Sequence, residues 1–298
     1  MLSICIPVFN FDITSLIEEL NKQIKTLETN IEIIIIDDGS EFFKETNQII
    51  CQKHNYIELT KNIGRAKIRN LFLKYALYDY LLFLDCDSKI ISSLFLKLYI
   101  DNINQQTNVV CGGRNYNPIK PKRNKLLRWK YGIQRESKDV LERGKSPYLS
   151  FMTNNFLVKK NILQKYPFDE RIKQYGHEDT LFGLELLKNN ISVLHINNPI
   201  ENGEIEDNQL YIKKTKESIT SLCQIMQNQT LSKDLLENIS LIKFYFKYKN
   251  YDVALLFIFR IIKPFLLFSL KKGYFLLIFF DFYKLGELIS SLKKKNSF

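Results

Sequence analysis

Residues 80–88 read Tyr-Leu-Leu-Phe-Leu-Asp-Cys-Asp-Ser. Five apolar or aromatic residues in a row have the length and composition of a strand that is buried on both faces. Two carboxylates, Asp85 and Asp87, stand where this strand ends. Because residues two apart near a strand end fall on one side, both carboxylates are predicted to face one ligand, while Cys86 turns toward the core.

This Asp-x-Asp spacing leaves two interpretations open. Two like charges held close together need a counter-ion, and carboxylate oxygens suit Mg²⁺ or Mn²⁺. Alternatively, one Asp caps the following helix and the other lies in a turn. For an isolated Asp-x-Asp the second interpretation is favoured, so the neighbouring motifs decide between them.

The composition indicates a globular protein. The chain has 298 residues, of which 45% are hydrophobic and 25% charged, enough for one large domain and an appendage. Its five cysteines are scattered without any C-x-x-C spacing, which predicts a reducing compartment and no structural zinc. The first residues lack a basic region and begin as a strand, so the sequence predicts no signal peptide and a cytoplasmic location.

The net charge of +11 is concentrated near the C-terminus. Residues 239–298 contain 11 Lys and Arg against 3 Asp and Glu, whereas the rest of the chain contains 32 against 29. No basic stripe lies on a recognisable nucleic-acid-binding fold, so nucleic acid is not an expected partner.

Strand and helix patterns alternate over the first 110 or so residues. The predicted strands are residues 3–8, 31–36, 57–60 and 80–84, with amphipathic or short helices between them. This alternation predicts an α/β fold with a mostly parallel, doubly wound sheet, whose ligands bind beyond the carboxyl ends of the strands. Polar clusters at residues 7–10, 37–40 and 85–87 are therefore predicted to line one crevice.

A further motif opens the helix after the third strand. Residues 61–70 read Lys-Asn-Ile-Gly-Arg-Ala-Lys-Ile-Arg-Asn, which combines a glycine for close backbone approach with cations for an anion. The sequence has no G-x-G-x-x-G after a strand and no P-loop motif, which disfavours dinucleotide dehydrogenases and P-loop enzymes.

In order and spacing these motifs resemble the family-2 inverting glycosyltransferases with the GT-A nucleotide-sugar-binding fold. The resemblance covers roughly residues 1–200, and it rests on Pro7-Val8-Phe9-Asn10, Asp37-Asp38-Gly39-Ser40, Asn62-x-Gly64-x-Ala66-x-x-Arg69-Asn70 and Asp85-x-Asp87. It implies a nucleotide-sugar donor, a UDP- or GDP-sugar, and a Mn²⁺ or Mg²⁺ ion that neutralises the leaving diphosphate.

The resemblance also implies roles for individual residues. Asp37 and Asp38 would contact base and ribose, Asp85 would serve the ribose and the ion, and Asp87 would bind the ion. The full set of implied sugar-donor-binding residues is Pro7, Asn10, Asp37, Asp38, Asn62, Gly64, Arg65, Arg69 and Asp85.

A second cluster follows at residues 175–183, where Glu178 and Asp179 precede an amphipathic helical pattern. Acids there are often only partners of the helix dipole. The resemblance implies instead that Asp179 is the catalytic base, which takes the proton of the acceptor hydroxyl, and that Glu178 orients the acceptor. It also singles out His195 as a third metal ligand, although a histidine at a strand end is more often hydrogen-bonded without such a role.

The middle of the chain is less informative. Residues 109–114 predict another strand, and residues 118–135 predict a loop or frayed helix that carries seven Lys and Arg. The favoured interpretation of 118–135 is a solvated, mobile loop, and the alternative is a flap over the diphosphate or an anionic acceptor. Trp129 is either a core residue or a platform on which a sugar stacks.

The sheet pattern ends near residue 207. Residues 208–227 and 232–250 predict helices, and two apolar runs follow at 253–259 and 274–280. Each run is too short to span a bilayer. Their aromatic and basic composition fits an interfacial membrane anchor, and a helical appendage that packs its aromatic residues on the catalytic domain or on a partner chain remains equally open.

The sequence therefore predicts a GT-A catalytic domain over 1–206 and a helical C-terminal region over 207–298. The predicted activity is metal-dependent, inverting transfer of a sugar to a hydroxyl of a glycan, polysaccharide or lipid-linked acceptor, in the cytoplasm and with possible contact to the inner face of the cytoplasmic membrane. A catalytically silent sugar-nucleotide-binding or scaffold protein is the alternative. A nucleotidyltransferase is disfavoured because residues 9–14 contain no Gly-rich basic loop.

Overall fold

The computed structural model describes residues 1–171, 176–227 and 236–295. The chain forms two compact units. The first comprises Met1–Asn117, Glu136–Arg171 and Glu178–Glu204, and the second comprises the described parts of Pro118–Arg135, Ile172–His177 and Ile205–Phe298. The last break lies close to the domain boundary predicted at residue 206, but residues 118–135 lie in the second unit and not in the first.

A seven-stranded sheet forms the centre of the first unit. Its strand order is β3-β2-β1-β4-β8-β6-β9, and only β8 runs antiparallel to its neighbours. The strands are β1 (Leu2–Val8), β2 (Ile31–Asp37), β3 (Asn55–Glu58), β4 (Tyr80–Leu84), β6 (Val109–Cys111), β8 (Asn155–Lys159) and β9 (Val193–His195). This arrangement confirms the predicted mostly parallel α/β sheet, with β4 at the predicted bounds.

Helices cover both faces of this sheet, which is why its strands β1, β2 and β4 are mostly apolar. Along β2, Ile33 and Ile35 belong to the core on one face, whereas Ile34 and Ile36 belong to the core on the other. The helices are α1 (Thr14–Ile24), α2 (Lys44–Ile50), α3 (Arg65–Tyr75), α4 (Phe95–Ile100), α6 (Val140–Gly144), α7 (Lys160–Lys165) and α8 (Glu178–Lys188). A strand buried on both faces loses the polar–apolar alternation of a half-exposed strand.

A second, three-stranded sheet lies in the same unit, with the order β5-β10-β7. Its strands are β5 (Ser88–Ile90), β7 (Arg114–Asn115) and β10 (Ile200–Asn202). The predicted single strand over 109–114 is thus wrong, because β6 and β7 belong to different sheets. Gly113, at φ 97°, lies between them and allows the chain to change direction.

The second unit is helical in its described part. It contains α5 (Leu126–Tyr131), α9 (Asn208–Gln227), α10 (Ser240–Lys247), α11 (Asp252–Lys272) and α12 (Leu277–Lys295). The predicted bounds of α9 are confirmed. Of the helix predicted over 232–250, residues 232–235 lie outside the described residues.

Residues 118–135, predicted as a loop or frayed helix and interpreted as solvated, are exposed near their start but helical from Arg123 and buried in part. Arg123–Lys125 forms a 3-10 turn that leads into α5, in which Leu126 and Leu127 are buried. The guanidinium carbon of Arg123 lies 4.4 Å from the centre of the Tyr274 ring, and that of Arg128 lies 5.0 Å from the Tyr211 ring. Several cations of this segment therefore pack on aromatic rings of the same unit.

The prediction that neither apolar run near the C-terminus is long enough to span a bilayer is wrong for the first run. The first is part of α11, a single helix that continues through Pro264. Lys249–Lys272 is long and apolar enough to cross a membrane, with a mean hydropathy of 2.2 over its most apolar window, and only 28% of that window is buried. Length and composition alone are weak grounds for a membrane span, since core helices of soluble proteins also meet them.

Candidate active site

The three predicted polar clusters follow three adjacent parallel strands of the first unit. β1 pairs with β2 on one side and with β4 on the other. The carboxyl ends of these strands meet at the same edge of the sheet, so residues after Val8, Asp37 and Leu84 lie along one edge. The backbone amide of Asp38 donates to the carbonyl oxygen of Val8 over 2.8 Å, which ties the first two clusters together.

The acids after β2 organise the loops of this edge. Asp37 is fully buried and accepts hydrogen bonds from the Ser40 amide at 2.6 Å and the Tyr56 hydroxyl at 2.9 Å. Asp38 accepts from the amides of Ile63 and Gly64 at 2.7 and 3.2 Å. Burial raises the pKa of Asp38, although these amide hydrogen bonds oppose the shift. Asp38 thereby holds the loop that leads into α3.

Asn10 and Gly39 fix the same edge through backbone geometry. Asn10 adopts φ 51°, and its side-chain oxygen accepts from the amides of Glu41 and Phe42 at 2.7 and 3.1 Å. Gly39 has φ 74°, and a Cβ there would come within 2.7 Å of the Lys61 carbonyl carbon, so only glycine fits this turn. Pro7 is half-buried within β1, and Asn62 is exposed.

Helix α3 presents two arginines, one helical turn apart, to two of the candidate acids. Arg69 Nη2 lies 2.8 Å from Asp85 Oδ1, and Arg65 Nη1 lies 3.3 Å from Glu178 Oε1. Arg69 is buried and also donates to the carbonyl oxygen of Arg65 at 3.2 Å. One helix thus positions an acid that follows β4 and an acid that begins α8.

The other two candidate acids differ from this pair. Within the described residues, neither Asp87 nor Asp179 has an ion-pair partner. Burial, followed by the charge of Asp85, raises the pKa of Asp87, and Arg114 and Arg65 oppose the shift. Asp85 and Glu178 are therefore neutralised by arginines. Asp87 and Asp179 lie close to these charged acids but form no salt bridge within the described residues.

Glu178 and Asp179 are adjacent in sequence but have opposite pKa shifts. Burial raises the pKa of Asp179 to about 6, and the charge of Glu178 adds to the shift. Burial also acts to raise the pKa of Glu178, but the charges of Arg65 and Arg69 outweigh it and lower that pKa overall. The Asp179 carboxylate accepts from the Thr180 amide at 2.7 Å. Neighbouring carboxyl groups whose pKa values are driven apart are suited to different roles.

The second sheet contributes residues that the sequence did not indicate. The positive charge of Arg114, in β7, acts to lower the pKa of Asp87. Its Nη1 lies 3.3 Å from Glu136 Oε2. Asn202 of β10 pairs with Ser88 of β5, and a Cβ on the next residue, Gly203, would come within 2.3 Å of the Asp87 carbonyl oxygen. Strands of two or three residues carry no usable periodicity, so only the fold reveals that they enclose Asp87.

His195 does not join the carboxylates. It lies at the end of β9, three strands from β4, which corresponds to about 14 Å at the usual strand spacing. Its Nδ1 is 3.0 Å from Arg143 Nη1, and its Nε2 is 2.9 Å from the carbonyl oxygen of Pro147. Because both ring nitrogens are used within the protein, the structure contradicts the prediction of His195 as a third metal ligand.

The remaining ligand set suits a cation that is shared with a substrate. Within the described residues, no group of three His, Cys, Asp or Glu side chains is arranged to hold a metal ion. Asp87 has no salt bridge to any residue that the structure describes, and Asp85 uses one carboxylate oxygen for Arg69. Mg²⁺ sites built from one or two carboxylates and completed by substrate phosphates have this composition. Asp85 and Asp87 therefore fit a divalent ion that binds together with a diphosphate.

Comparison with known proteins identifies the class to which this fold and edge belong. The Glycosyl transferase family 2 profile matches residues 3–166, more than half of the chain. The chain therefore belongs to glycosyltransferase family 2. Its fold is the GT-A fold of solved glycosyltransferase structures.

Curated relatives are similar over part of their length. The chain is 34% identical over 126 residues to an uncharacterized glycosyltransferase of Rickettsia conorii, which covers 41% of this chain and 20% of the relative. It is 29% identical over 226 residues to a chondroitin synthase of Pasteurella multocida, covering 62% of this chain and 23% of that protein. The chain thus spans about a fifth of the length of these relatives.

Solved structures share the fold at low sequence identity. A mannosyltransferase from Pyrobaculum calidifontis, in complex with GDP-Man and Mn²⁺, has a TM-score of 0.59 and 12% identity, with 100% of this chain and 87% of that chain covered. TarS residues 1–349 from S. aureus, in complex with UDP, has a TM-score of 0.54 and 16% identity, with 99% and 91% covered. These similarities confirm the predicted GT-A fold.

Proposed function

We propose that the protein is a metal-dependent, inverting glycosyltransferase that moves a sugar from a UDP- or GDP-sugar to a hydroxyl of a glycan, polysaccharide or lipid-linked acceptor. The observation that carries the proposal is the division of four acids into two pairs. Asp85 and Glu178 are neutralised by arginines of α3, whereas Asp87 and Asp179 have no ion-pair partner within the described residues. Of the two acids without such a partner, Asp87 is suited to bind a cation and Asp179 is suited to accept a proton.

Sugar transfer requires charge neutralisation on the side of the leaving group. Asp87 and Asp85 would hold Mn²⁺ or Mg²⁺, which when bound neutralises negative charge on the diphosphate. The proposed sugar-donor-binding residues remain Pro7, Asn10, Asp37, Asp38, Asn62, Gly64, Arg65, Arg69 and Asp85. In this proposal Arg65 and Arg69 keep Glu178 ionised, and Arg69 also orients Asp85 through their ion pair. The Mn²⁺ and GDP-Man bound to the Pyrobaculum calidifontis mannosyltransferase support this assignment by analogy.

On the acceptor side, Asp179 is the proposed base. The acceptor hydroxyl oxygen attacks the anomeric carbon on the face opposite the diphosphate, and its proton passes to the Asp179 carboxylate. The bond between the anomeric carbon and the diphosphate oxygen breaks, and its electron pair leaves with the nucleoside diphosphate. A pKa near 6 keeps Asp179 mostly ionised at neutral pH while leaving it basic enough to accept a proton. Glu178, held by Arg65, orients the acceptor.

We place the enzyme in the cytoplasm, in peripheral contact with the inner face of the cytoplasmic membrane through residues 207–298. The alternative from another class is a protein of the same fold that binds a sugar nucleotide without transferring it. A carboxylate with a raised pKa beside an ionised neighbour favours the enzyme, because binding alone has no need of a base.

The proposal is tested by binding and transfer on the same preparations. Thermal unfolding is followed with a panel of UDP- and GDP-sugars, with and without Mn²⁺, for the parent, Asp87→Asn and Asp179→Asn. The parent should be protected by one sugar nucleotide only when Mn²⁺ is present. Asp87→Asn should lose that protection and Asp179→Asn should retain it without transferring sugar. Metal-dependent protection with no transfer by the parent to any acceptor would favour the silent binder.

A further inference from the structure

Helix α11 has a wide apolar face that points to solvent. Its exposed large side chains are each 48–68% accessible, and we call them the outer face of α11: Val253, Phe257, Ile258, Ile261, Phe265 and Phe268. Steps of three and four residues place them in one stripe along a helix of 21 residues, about 30 Å long. Six exposed large apolar groups in one stripe exceed what scattered surface residues explain and indicate an interaction surface.

The opposite face of α11 is fixed within the second unit. Leu256, Phe259, Leu266 and Leu270 are buried, and a Cβ on Gly286 of α12 would come within 2.2 Å of the Phe259 ring. Lys263 Nζ also lies 2.5 Å from Glu287 Oε1, whose side chain is buried. Tight packing and an ion pair therefore fix the orientation of α11, and the same side chains of the outer face remain directed to solvent.

Cations border the outer face. After Asp252, α11 contains no further Asp or Glu and four Lys or Arg, of which Lys263 pairs with Glu287 on the opposite face. An open groove of about 380 Å³ lies along one edge of the face, where Arg260, Lys294 and Lys293, the last in an ion pair with Asp252, stand beside the apolar side chains of Val253, Leu256 and Phe257. Apolar and cationic groups on one surface match the two parts of an anionic phospholipid, its acyl chains and its phosphate.

Two other occupants fit this surface less well. A membrane-spanning α11 would have to leave α12, although α12 carries Asp281, Lys284 and Glu287 and packs along it. A second copy of the chain on a two-fold axis would bring the cations around the face toward their own copies, and the one acid of α11, Asp252, already pairs with Lys293. Charge complementarity thus favours a negatively charged lipid surface.

We propose that the outer face of α11 docks in the interfacial layer of an anionic membrane, with its aromatic and aliphatic side chains among the acyl chains and with Arg260 and Lys294 at lipid phosphates. The helix lies parallel to the membrane plane. This proposal deepens the membrane contact proposed above, and it stands apart from sugar transfer because lipid binding and transfer are measured separately.

Vesicle flotation of the full-length chain tests the proposal. The probes are vesicles of phosphatidylcholine alone and of phosphatidylcholine mixed equally with phosphatidylglycerol. The chain should float with the mixed vesicles and remain largely unbound with the neutral ones. The double substitution Phe257→Ser with Phe265→Ser should weaken binding to the mixed vesicles by at least about tenfold. Arg260→Gln should weaken it by about fivefold, the effect of one basic residue near an anionic surface.

Matched controls are available in the first unit. Leu77 is an exposed apolar residue and Lys53 an exposed cation, so Leu77→Ser and Lys53→Gln should bind vesicles like the parent. Each variant should keep the parent melting temperature, because all the substituted side chains are exposed. Equal binding to both kinds of vesicle, or unchanged binding by the double variant, would overturn the proposal. So would retention on membranes after an alkaline carbonate wash, which indicates a spanning helix, or a dimer in ultracentrifugation that only the double variant loses.

Discussion

Arg143 Nη1 lies 3.0 Å from Nδ1 of His195, in a buried contact between two basic side chains. The other guanidinium nitrogens of Arg143 donate to backbone carbonyl oxygens, including those of Gly112 at 3.1 Å and Ile196 at 2.8 Å. Arginine cannot accept a hydrogen bond, so Nδ1 of His195 must accept, and Nε2 carries the hydrogen that is donated to Pro147. His195 is therefore held neutral, and burial, with Arg143, lowers its pKa.

This contact predicts a loss of stability at acidic pH. The pKa of His195 is lower in the folded protein than in the unfolded chain, so the unfolded state binds the extra proton more readily. The contribution of His195 is complete above the unfolded pKa of about 6.5 and is lost as the pH falls below it, with a slope of at most about 1.4 kcal/mol per pH unit. Chemical unfolding from pH 5 to 8 should show a flatter profile for His195→Gln than for the parent. Parallel profiles would contradict this assignment.

The two acids of the Asp-x-Asp motif should respond differently to substitution. Asp85→Asn leaves the buried guanidinium of Arg69 without its carboxylate, which should cost about 3 kcal/mol of unfolding free energy. Asp87→Asn removes a carboxylate that has no salt bridge within the described residues and a raised pKa, so stability should be unchanged or higher. The Mn²⁺-dependent part of sugar-nucleotide affinity should disappear in Asp87→Asn. Denaturant titration and calorimetric binding measure the two effects, and equal stabilities would contradict the described ion pair.

Much of this site follows from the sequence because it lies at the ends of long buried strands. The continuous apolar run at 80–84 predicts β4 at its observed bounds, and Asp85 and Asp87 must follow it. Parallel neighbours then bring the residues after β1 and β2 to the same edge. The pairing of acids with Arg65 and Arg69 is not predictable in this way, because it depends on how α3 and α8 pack.

Other features could not be predicted from the sequence, for physical reasons. β5, β7 and β10 are two or three residues long, too short for a periodic pattern, so Arg114 and Gly203 had no visible link to Asp87. The predicted apolar run 253–259 ends before Arg260, Lys263 and Pro264, yet α11 continues through all three. Pro264 lies on the exposed side of the helix, where solvent can satisfy the carbonyl group that loses its partner. Residues 118–135 appeared solvated because cation–π packing of Arg123 and Arg128 cannot be inferred from charge alone.

Gly203 provides a test of how closely the second sheet encloses the site. A methyl group there would come within 2.3 Å of the Asp87 carbonyl oxygen, so Gly203→Ala must displace the turn that carries Asp87. We expect at least about a tenfold loss of metal-dependent sugar-nucleotide affinity, since a small misplacement of a positioned ligand is costly. Gly144→Ala is the matched control, because nothing lies within 4 Å of its added methyl group. Equal affinities in the two variants would show that the turn is not confined by Gly203.

Substitutions of Asp179 and Glu178 distinguish a catalytic role of these acids from a purely structural one. A base acts on the acceptor in the transition state and contributes little to binding of the sugar donor, so Asp179→Asn should keep sugar-nucleotide affinity. Its transfer rate should fall by roughly a hundred- to ten-thousand-fold. The parent rate should decline below pH about 6, where the Asp179 carboxylate becomes protonated. Single-turnover transfer and calorimetry on the same preparations measure these effects.

Stability supplies the control for this last prediction. Because the pKa of Asp179 is raised in the folded protein, its ionised form opposes folding, and Asp179→Asn should unfold at the same or a higher denaturant concentration at pH 7. A role limited to the helix dipole predicts instead a cost of about 0.3–1 kcal/mol with an unchanged rate. Glu178→Gln should differ from both, because it leaves Arg65 without its carboxylate and removes the charge that helps to raise the pKa of Asp179. The pH below which sugar transfer declines should therefore be lower in Glu178→Gln than in the parent. If Asp179→Asn transferred sugar at the parent rate, Asp179 would not be the base and another acid would have that role.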